Sequence, residues 1–229
     1  MKILVTGGTG YIGSHTCVEL LNNGYDVVVI DSLVNSKEDV VSKIEEITGK
    51  KIAFYQGDVR DEKLLKGIFL DNKIDAVIHF AGLKAVGESV QKPIEYYQNN
   101  LDSTLTLLKI MKENDVKKII FSSSATVYGD PEVVPITEES KTGGTTNPYG
   151  TSKLFVEQIL KDTYKSDNTW DICILRYFNP IGAHSSGLIG EEPNGIPANL
   201  MPYISAKECI EYLIEQTRML KEIMKDMRY

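Results

Sequence analysis

Cysteine is scarce in this chain and follows no pattern. Cys17, Cys173 and Cys209 are odd in number, far apart and in no metal-ligand spacing. They read as reduced thiols in a cytoplasmic protein, so neither a disulfide framework nor a thiolate metal site is expected. Long apolar runs are also missing. The opening MKILVTGG is too short for a signal peptide, and no later run approaches the roughly 20 residues of a membrane span. A basic excess is missing as well. Twenty-five Lys and Arg stand against 32 Asp and Glu, for a net charge of -7. Without a basic stripe, no broad nucleic-acid surface is expected. There are three histidines, His15, His79 and His184, again in no ligand spacing, and no metal is expected. His79 lies in an apolar run and reads as a satisfied core residue.

What remains is an ordinary globular composition, 42% hydrophobic and 25% charged over 229 residues. That length fits one large domain, or one domain with part of a second. Short β-branched runs recur at 2–6, 26–31, 51–56, 76–80, 118–122 and 172–177. They are continuous rather than alternating, as strands covered on both faces should be. Helical patterns fall between them, near 11–23, 37–48, 61–71, 93–113 and 149–165. This alternation predicts an α/β fold, a doubly wound parallel sheet of Rossmann type.

Composition shifts further along. Residues 130–148 hold Pro131, Pro135, Gly143, Gly144 and Pro148 and read as a surface loop. Residues 179–203 are richer still in Gly and Pro, and too long for a plain connection. From Ser205 the chain has no Gly or Pro, and an apolar seam at spacings of three and four predicts an amphipathic helix. The expected division is a dinucleotide-binding domain over 1–178, the start of a second lobe over 179–203 and a terminal helix over 204–229.

Val5–Gly13 reads VTGGTGYIG. Gly7, Gly10 and Gly13 follow the first strand and open the first helix. Gly7 permits the turn, Gly10 lets a diphosphate approach the backbone, and Gly13 lets the helix pack closely. The helix N-terminus then supplies free N–H donors, which is how an acidic protein can bind an anion. Asp31 ends the second strand about 20 residues further on, where a carboxylate accepts hydrogen bonds from a ribose and repels a 2′-phosphate. NAD is therefore expected over NADP. A turn or helix cap is the competing role for Asp31. Asp58 follows the third strand at a carboxyl end of the sheet, and capping the helix that starts near Asp61 is an equal alternative.

Tyr149 and Lys153 are four apart on one helix face, with Pro148 at the entry. A nearby ammonium favours the phenolate, so Lys153 is expected to bring Tyr149 into range as a base. Past the fifth strand come Ser122–Ser123–Ser124–Ala125–Thr126. Ser124 is the choice for bonding a substrate oxygen, although the residues alone do not separate it from Ser123 or Thr126.

These segments together resemble the UDP-glucose 4-epimerase family, extended short-chain dehydrogenase/reductases. The carriers are TGGTGYIGSHT at the start, HFAGLKAVGESVQKP at 79–93, SSSATVYGD at 122–130, NPYGTSK at 147–153, and RYFNPIGAHSSG with NGIPANLMPY within 176–203. The resemblance implies interconversion of UDP-galactose and UDP-glucose by transient oxidation at C4, with NAD tightly bound. Tyr11, Ile12, Asp31, Asn35, Ser36, Asp58, Val59, Phe80, Ala81, Lys84 and Asn99 match its cofactor contacts, and Phe178 matches a residue beside the nicotinamide. Tyr149 matches the base at the sugar 4-hydroxyl, and Ser124 the hydroxyl on the 4-oxygen. Lys153 matches the residue that lowers the tyrosine pKa and holds the nicotinamide ribose. Asn179, Asn199 and Leu200 match substrate contacts. The family further implies a homodimer through helices 93–113 and 149–165. Its pattern stops after Tyr203, where the family carries a smaller lobe with a cationic diphosphate clamp. Losing that clamp is expected to weaken UDP-sugar binding, and the competing expectation is a non-catalytic NAD-binding module.

Overall fold

The computed structural model describes residues 1–192. Expectations for Asn199, Leu200, Cys209, the NLMPY motif and the helix at 204–229 lie outside the described residues. Six parallel strands form one sheet. They are β1 (Lys2–Thr6), β2 (Asp26–Asp31), β3 (Ala53–Gln56), β4 (Ala76–His79), β5 (Lys118–Ser124) and β6 (Asp171–Tyr177), in the spatial order β3-β2-β1-β4-β5-β6. Six helices connect them: α1 (Tyr11–Asn22), α2 (Asp39–Thr48), α3 (Glu62–Asp71), α4 (Val86–Gln91), α5 (Pro93–Glu113) and α6 (Pro148–Ser166). The winding reverses between β1 and β4, which opens a crevice at the carboxyl ends of those strands. The fold is the doubly wound Rossmann-type α/β sheet that the alternation predicts.

The continuous apolar runs follow from two separate cores. Leu4, Val28 and Ile30 face one core with Leu65 and Ile68 of α3, Leu107 and Met111 of α5, and Val156 and Leu160 of α6. Their neighbours Ile3, Val5, Val27 and Val29 face the other, with Cys17, Val18 and Leu21 of α1 and Ile44 of α2. Each such side chain contributes roughly 1.5–3 kcal/mol on burial.

Element edges follow local chemistry. β3 starts at Ala53 rather than Lys51, because the Ile52 N–H donates to the Glu45 side chain instead of the ladder. β5 runs on to Ser124, since Ser123 and Ser124 pair with Arg176 and Tyr177 of β6. The serines expected past the strand are thus its last residues. Asn147 caps α6 through Gly150 N–H at 2.8 Å, and Pro148 takes the first turn. The short α4 was not expected from the sequence; it ends at Lys92 as Pro93 opens α5. Among the described residues, no helix is long and apolar enough to cross a membrane.

Candidate active site

The glycine-rich turn after β1 is a cradle lined by backbone. Gly7 takes φ +71°, and a Cβ there would come within 2.8 Å of the Ala81 amide. At Gly13 a Cβ would overlap the Gly7 carbonyl. Gly13 therefore packs against the turn itself, while Gly8, which the motif reading passed over, makes the close approach to β2 at Val29. Gly10 precedes α1 without a side-chain cap. The first-turn amides of Tyr11, Ile12 and Gly13 thus present the positive end of the helix dipole.

Asp31 is buried at the carboxyl end of β2 and wired into this turn. It accepts from Thr9 N–H at 3.1 Å, Leu33 N–H at 2.9 Å and Ser36 hydroxyl at 3.1 Å. Ser36 also bonds Thr9 Oγ1 at 2.7 Å. Asp31 caps no helix; it joins the glycine turn to the loop carrying Asn35 and Ser36. Asp58 is settled the same way. Asp61 caps α3, accepting from Lys63 and Leu64 N–H, while Asp58 holds Arg60 through both carboxylate oxygens. That guanidinium holds the Asp58 carboxyl below the usual range. Val59 beside it is buried in the core.

The end of β4 carries Phe80 and Ala81. Phe80 lies 6.5 Å from the Tyr177 ring, and Ala81 N–H donates to Thr6 Oγ1 at 3.2 Å. Below them, His79 bridges Thr6 Oγ1 at 2.7 Å and Thr104 Oγ1 at 3.1 Å. Thr104 donates to the Asn100 carbonyl, so it accepts from His79 Nε2–H, which leaves Nδ1 to accept from Thr6. Burial lowers the His79 pKa to about 3, with Lys153 adding to the effect. The imidazole is neutral core, as its place in the strand suggests.

The loop after β4 turns on Asn100 of α5. Its side chain takes the Leu83 N–H at 2.8 Å, and it donates to the Leu83 carbonyl at 3.1 Å and to Ser152 Oγ of α6 at 2.9 Å. The neighbouring Asn99, the residue matched to the family motif, is half-buried, and Lys84 is exposed. A Cβ at Gly82 would lie 3.1 Å from Asn100 Oδ1 and 3.8 Å from Lys153 Nζ. The Ala81–Gly82 segment therefore lies against the glycine turn on one side and near Lys153 on the other.

Lys153 is buried. It donates to the Ser122 carbonyl at 2.9 Å, lies 4.8 Å from the Phe121 ring centroid and 5.9 Å from that of Tyr149. Burial lowers its pKa to about 8, so it is mostly charged at neutral pH. Burial pushes the Tyr149 phenol up, and a hydrogen bond with Ser124 pulls it partly back. Of the three hydroxyls left open by the sequence, Ser124 is the one whose influence reaches the Tyr149 phenol. Ser123 instead donates to Glu157 at 2.7 Å, and Thr126 donates to Ser124 Oγ at 3.0 Å. Glu157 and Arg176, both missed in the sequence, meet behind this pair. Their one advance signal is that Glu157 continues the four-residue step of Tyr149 and Lys153.

Past β6, Phe178 and Asn179 are exposed. The chain then returns over α1, where Tyr11 Oη donates to the Gly182 carbonyl at 2.8 Å and Ile189 enters the α1-side core.

Comparison with known proteins gives consistent results. The model of the NAD dependent epimerase/dehydratase family matches residues 3–214. A UDP-glucose 4-epimerase of Pasteurella multocida (strain Pm70) is 65% identical over 205 residues, which is 90% of this chain and 61% of that protein. The one of Bacillus subtilis (strain 168) is 60% identical over 205 residues, 90% of this chain and 60% of that protein. The crystal structure of a UDP-glucose 4-epimerase from Bifidobacterium longum, in complex with NAD+ and UDP, superposes with a TM-score of 0.88 at 65% identity. It covers 89% of this chain and 61% of that one. A UDP-glucose 4-epimerase from Stenotrophomonas maltophila, with bound NAD and formylated UDP-arabinopyranose, gives 0.86 at 50% identity, over 89% and 60%. The chain thus spans about 61% of the length of the relatives it matches.

Proposed function

Because the chain belongs to the NAD dependent epimerase/dehydratase family, we propose that it holds NAD and inverts C4 of a UDP-hexose, interconverting UDP-galactose and UDP-glucose. One observation carries this reading: the Ala81–Gly82 segment borders both the glycine turn and Lys153, since a Cβ at Gly7 would lie 2.8 Å from the Ala81 amide and one at Gly82 would lie 3.8 Å from Lys153 Nζ.

The residues present fit the dinucleotide. A Cβ would fill the cradle at Gly7 and at Gly13, no side chain caps α1 at Gly10, and a buried carboxylate waits at Asp31. Gly7, Gly10, Tyr11, Ile12 and Gly13 would hold the diphosphate, and Asp31, Asn35 and Ser36 the adenosine ribose. Asp58 and Val59 would border the adenine. Phe80, Ala81, Lys84, Asn99, Lys153 and Phe178 would line the nicotinamide half. When bound, NAD would supply a hydride acceptor and donor at the sugar carbon.

The chain's own groups move the proton. Ser124 holds the sugar 4-oxygen, and Tyr149 exchanges a proton with it. Burial raises the phenol and Ser124 opposes it; an ammonium on Lys153, 5.9 Å from the Tyr149 ring, would favour the phenolate further. Asn179 would contact the sugar. General-base help of this kind is worth roughly 10²–10⁴-fold.

The shared length, about 61% of the matched relatives, supports a second reading, an NAD-binding module that does not turn over alone. The division at 1–178, 179–203 and 204–229 belongs to both readings. A homodimer through α5 and α6 is supported by exposed Ile94, Leu105 and Phe155 on those helices. A monomer by light scattering at micromolar concentration would remove that part. The two described thiols, Cys17 and Cys173, are free, which supports a cytoplasmic setting.

The test is to purify the chain, release and quantify bound nicotinamide, and add UDP-galactose. Bound NAD with UDP-glucose formed establishes the epimerase, and bound NAD without turnover establishes the module. No nicotinamide binding, even on titration, overturns both. Tyr149→Phe is expected to keep NAD and lose turnover.

A further inference from the structure

The polar stripe on α6 does not stop at Lys153. One turn on, Glu157 is 0% exposed. Its Oε1 accepts from Ser123 Oγ at 2.7 Å and from Arg176 Nε at 2.9 Å, and its Oε2 from Arg176 Nη2 at 2.8 Å. The same guanidinium donates from Nη1 to Tyr128 Oη at 2.9 Å and lies 4.9 Å from that ring. Lys161 stands at 3.6 Å on the outer side. Ser123 and Arg176 are direct partners across β5 and β6. Burial alone would raise the Glu157 carboxyl, but Arg176 and Ser123 hold it below the ordinary range.

The placement of these contacts matters more than their number. Ser123 immediately precedes Ser124, and Tyr128 closes the 3-10 turn Ala125–Tyr128 that starts from Ser124. Through the Ser123 hydroxyl directly and through Arg176 to the Tyr128 hydroxyl, one carboxylate holds side chains on both sides of Ser124. That carboxylate sits on the helix carrying Tyr149 and Lys153. Stability does not explain it, because apolar side chains of similar volume commonly replace a buried ion pair at no loss. A bidentate pair does supply direction, which apolar packing does not.

We propose that Glu157 and Arg176 are positioning residues. Their ion pair fixes the end of β5 against α6, so that the Ser124 hydroxyl stays on the Tyr149 phenol. The proposal rests on the reading above in treating Tyr149 and Ser124 as the reacting pair, but its geometry is a property of the chain without turnover. The titratable groups facing Tyr149 are Lys153 on its own helix and Tyr96 on α5. Neither is touched by the substitutions below. Since the Ser124 bond pulls the phenol down against burial, losing that alignment raises it further.

The experiment labels tyrosine Cζ with carbon-13, assigns Tyr149 through Tyr149→Phe, and follows its titration by NMR. Wild type is compared with Ser124→Ala and with Glu157→Leu/Arg176→Met. The double variant is expected to unfold at a temperature close to that of wild type, with its Tyr149 midpoint moved upward as in Ser124→Ala. Arg176→Lys keeps the charge but not the bidentate geometry, and an intermediate upward shift is expected; it also serves if the double variant does not fold. Where the chain turns over, kcat is expected to fall by about 10–100-fold with NAD affinity unchanged, as for small misplacements of reacting groups. A wild-type midpoint in the folded double variant or in Arg176→Lys would overturn the proposal, as would an unmoved midpoint in Ser124→Ala. Failure of the epimerase reading would show as lost NAD binding or turnover and would leave the tyrosine titration to decide this point alone.

Discussion

The inner strands of the sheet and its β6 edge are finished differently. β1 and β2 are buried on both faces between α1 and α2 on one side and α3 and α5 on the other. β6, an edge strand beyond β5, alternates, with Asp171, Cys173 and Leu175 exposed and their neighbours half-covered. The cofactor end, on the inner strands, rests mainly on undirected apolar burial, with the Asp31 bonds to Thr9, Leu33 and Ser36 tying its turn to the next loop. The end carrying Tyr149 adds directed bonds between elements: Glu157 to Arg176, Lys153 to the Ser122 carbonyl, and Asn100 to Leu83 and Ser152. Apolar burial fixes layers to within a side chain's slack. Placing a phenol on a hydroxyl demands bonds with an angle as well as a length.

If that contrast is right, the cofactor end should fail by crowding and by cavities. Gly13→Val is expected to have the largest effect. Its side chain would overlap the Gly7 carbonyl, with no flexible neighbour to give way. Roughly 3–5 kcal/mol of stability should be lost, at the upper end for overpacking, together with measurable NAD binding. Urea unfolding and a cofactor titration check this, and a variant that still binds NAD would break the account of the cradle. Leu21→Ala follows. Leu21 is 2% exposed among Val18, Val27 and Ile44, and its truncation should cost roughly 3 kcal/mol.

The same contrast explains what could be read in the sequence. Apolar burial leaves a local, periodic trace, so the strands, five of the six helices and the glycine turn are visible as runs and spacings. Directed bonds leave almost none. Glu157 and Arg176 are 19 residues apart, and each alone resembles a solvated charge. Ser123 and Ser124 look alike until the ladder to β6 shows that β5 continues through both. On paper Asp58 is as good a cap for α3 as a ligand group, and only geometry gives the cap to Asp61 and Arg60 to Asp58. Gly8 was passed over because the motif spacing marks Gly7, Gly10 and Gly13, while its close contact with Val29 comes from a strand about 20 residues away.

The seam between the two ends should respond to acid. The His79 pKa is lowered to about 3 by burial, from an ordinary value of 6.5. The folded chain keeps the imidazole neutral, and the unfolded chain protonates it below its ordinary value. Its contribution is therefore complete above about pH 6.5 and is lost as pH falls toward 3, at up to about 1.4 kcal/mol per pH unit. His79→Gln keeps one donor and one acceptor but does not titrate. Between pH 7 and pH 5, wild type should lose about 2 kcal/mol more than the variant in urea unfolding. Equal losses would mean that the imidazole is wetter or more mobile than its two threonine partners imply.

The smallest expected effect carries the sharpest test of the contrast. Leu175 is as apolar as Leu21, sits mid-strand as part of a regular ladder to β5, and is 39% exposed. If stability at this end comes from directed bonds, Leu175→Ser removes little that folding had buried, and the change should stay within about 0.5 kcal/mol. The backbone ladder is untouched, and a hydroxyl at that exposure keeps water as a partner. A loss of about 2 kcal/mol or more would show that the outer face of β6 is covered in solution. A loss that grows with protein concentration would place the cover on another copy of the chain, because association stabilises by mass action. A loss independent of concentration would place it within the chain itself, and β6 would then be finished like the inner strands.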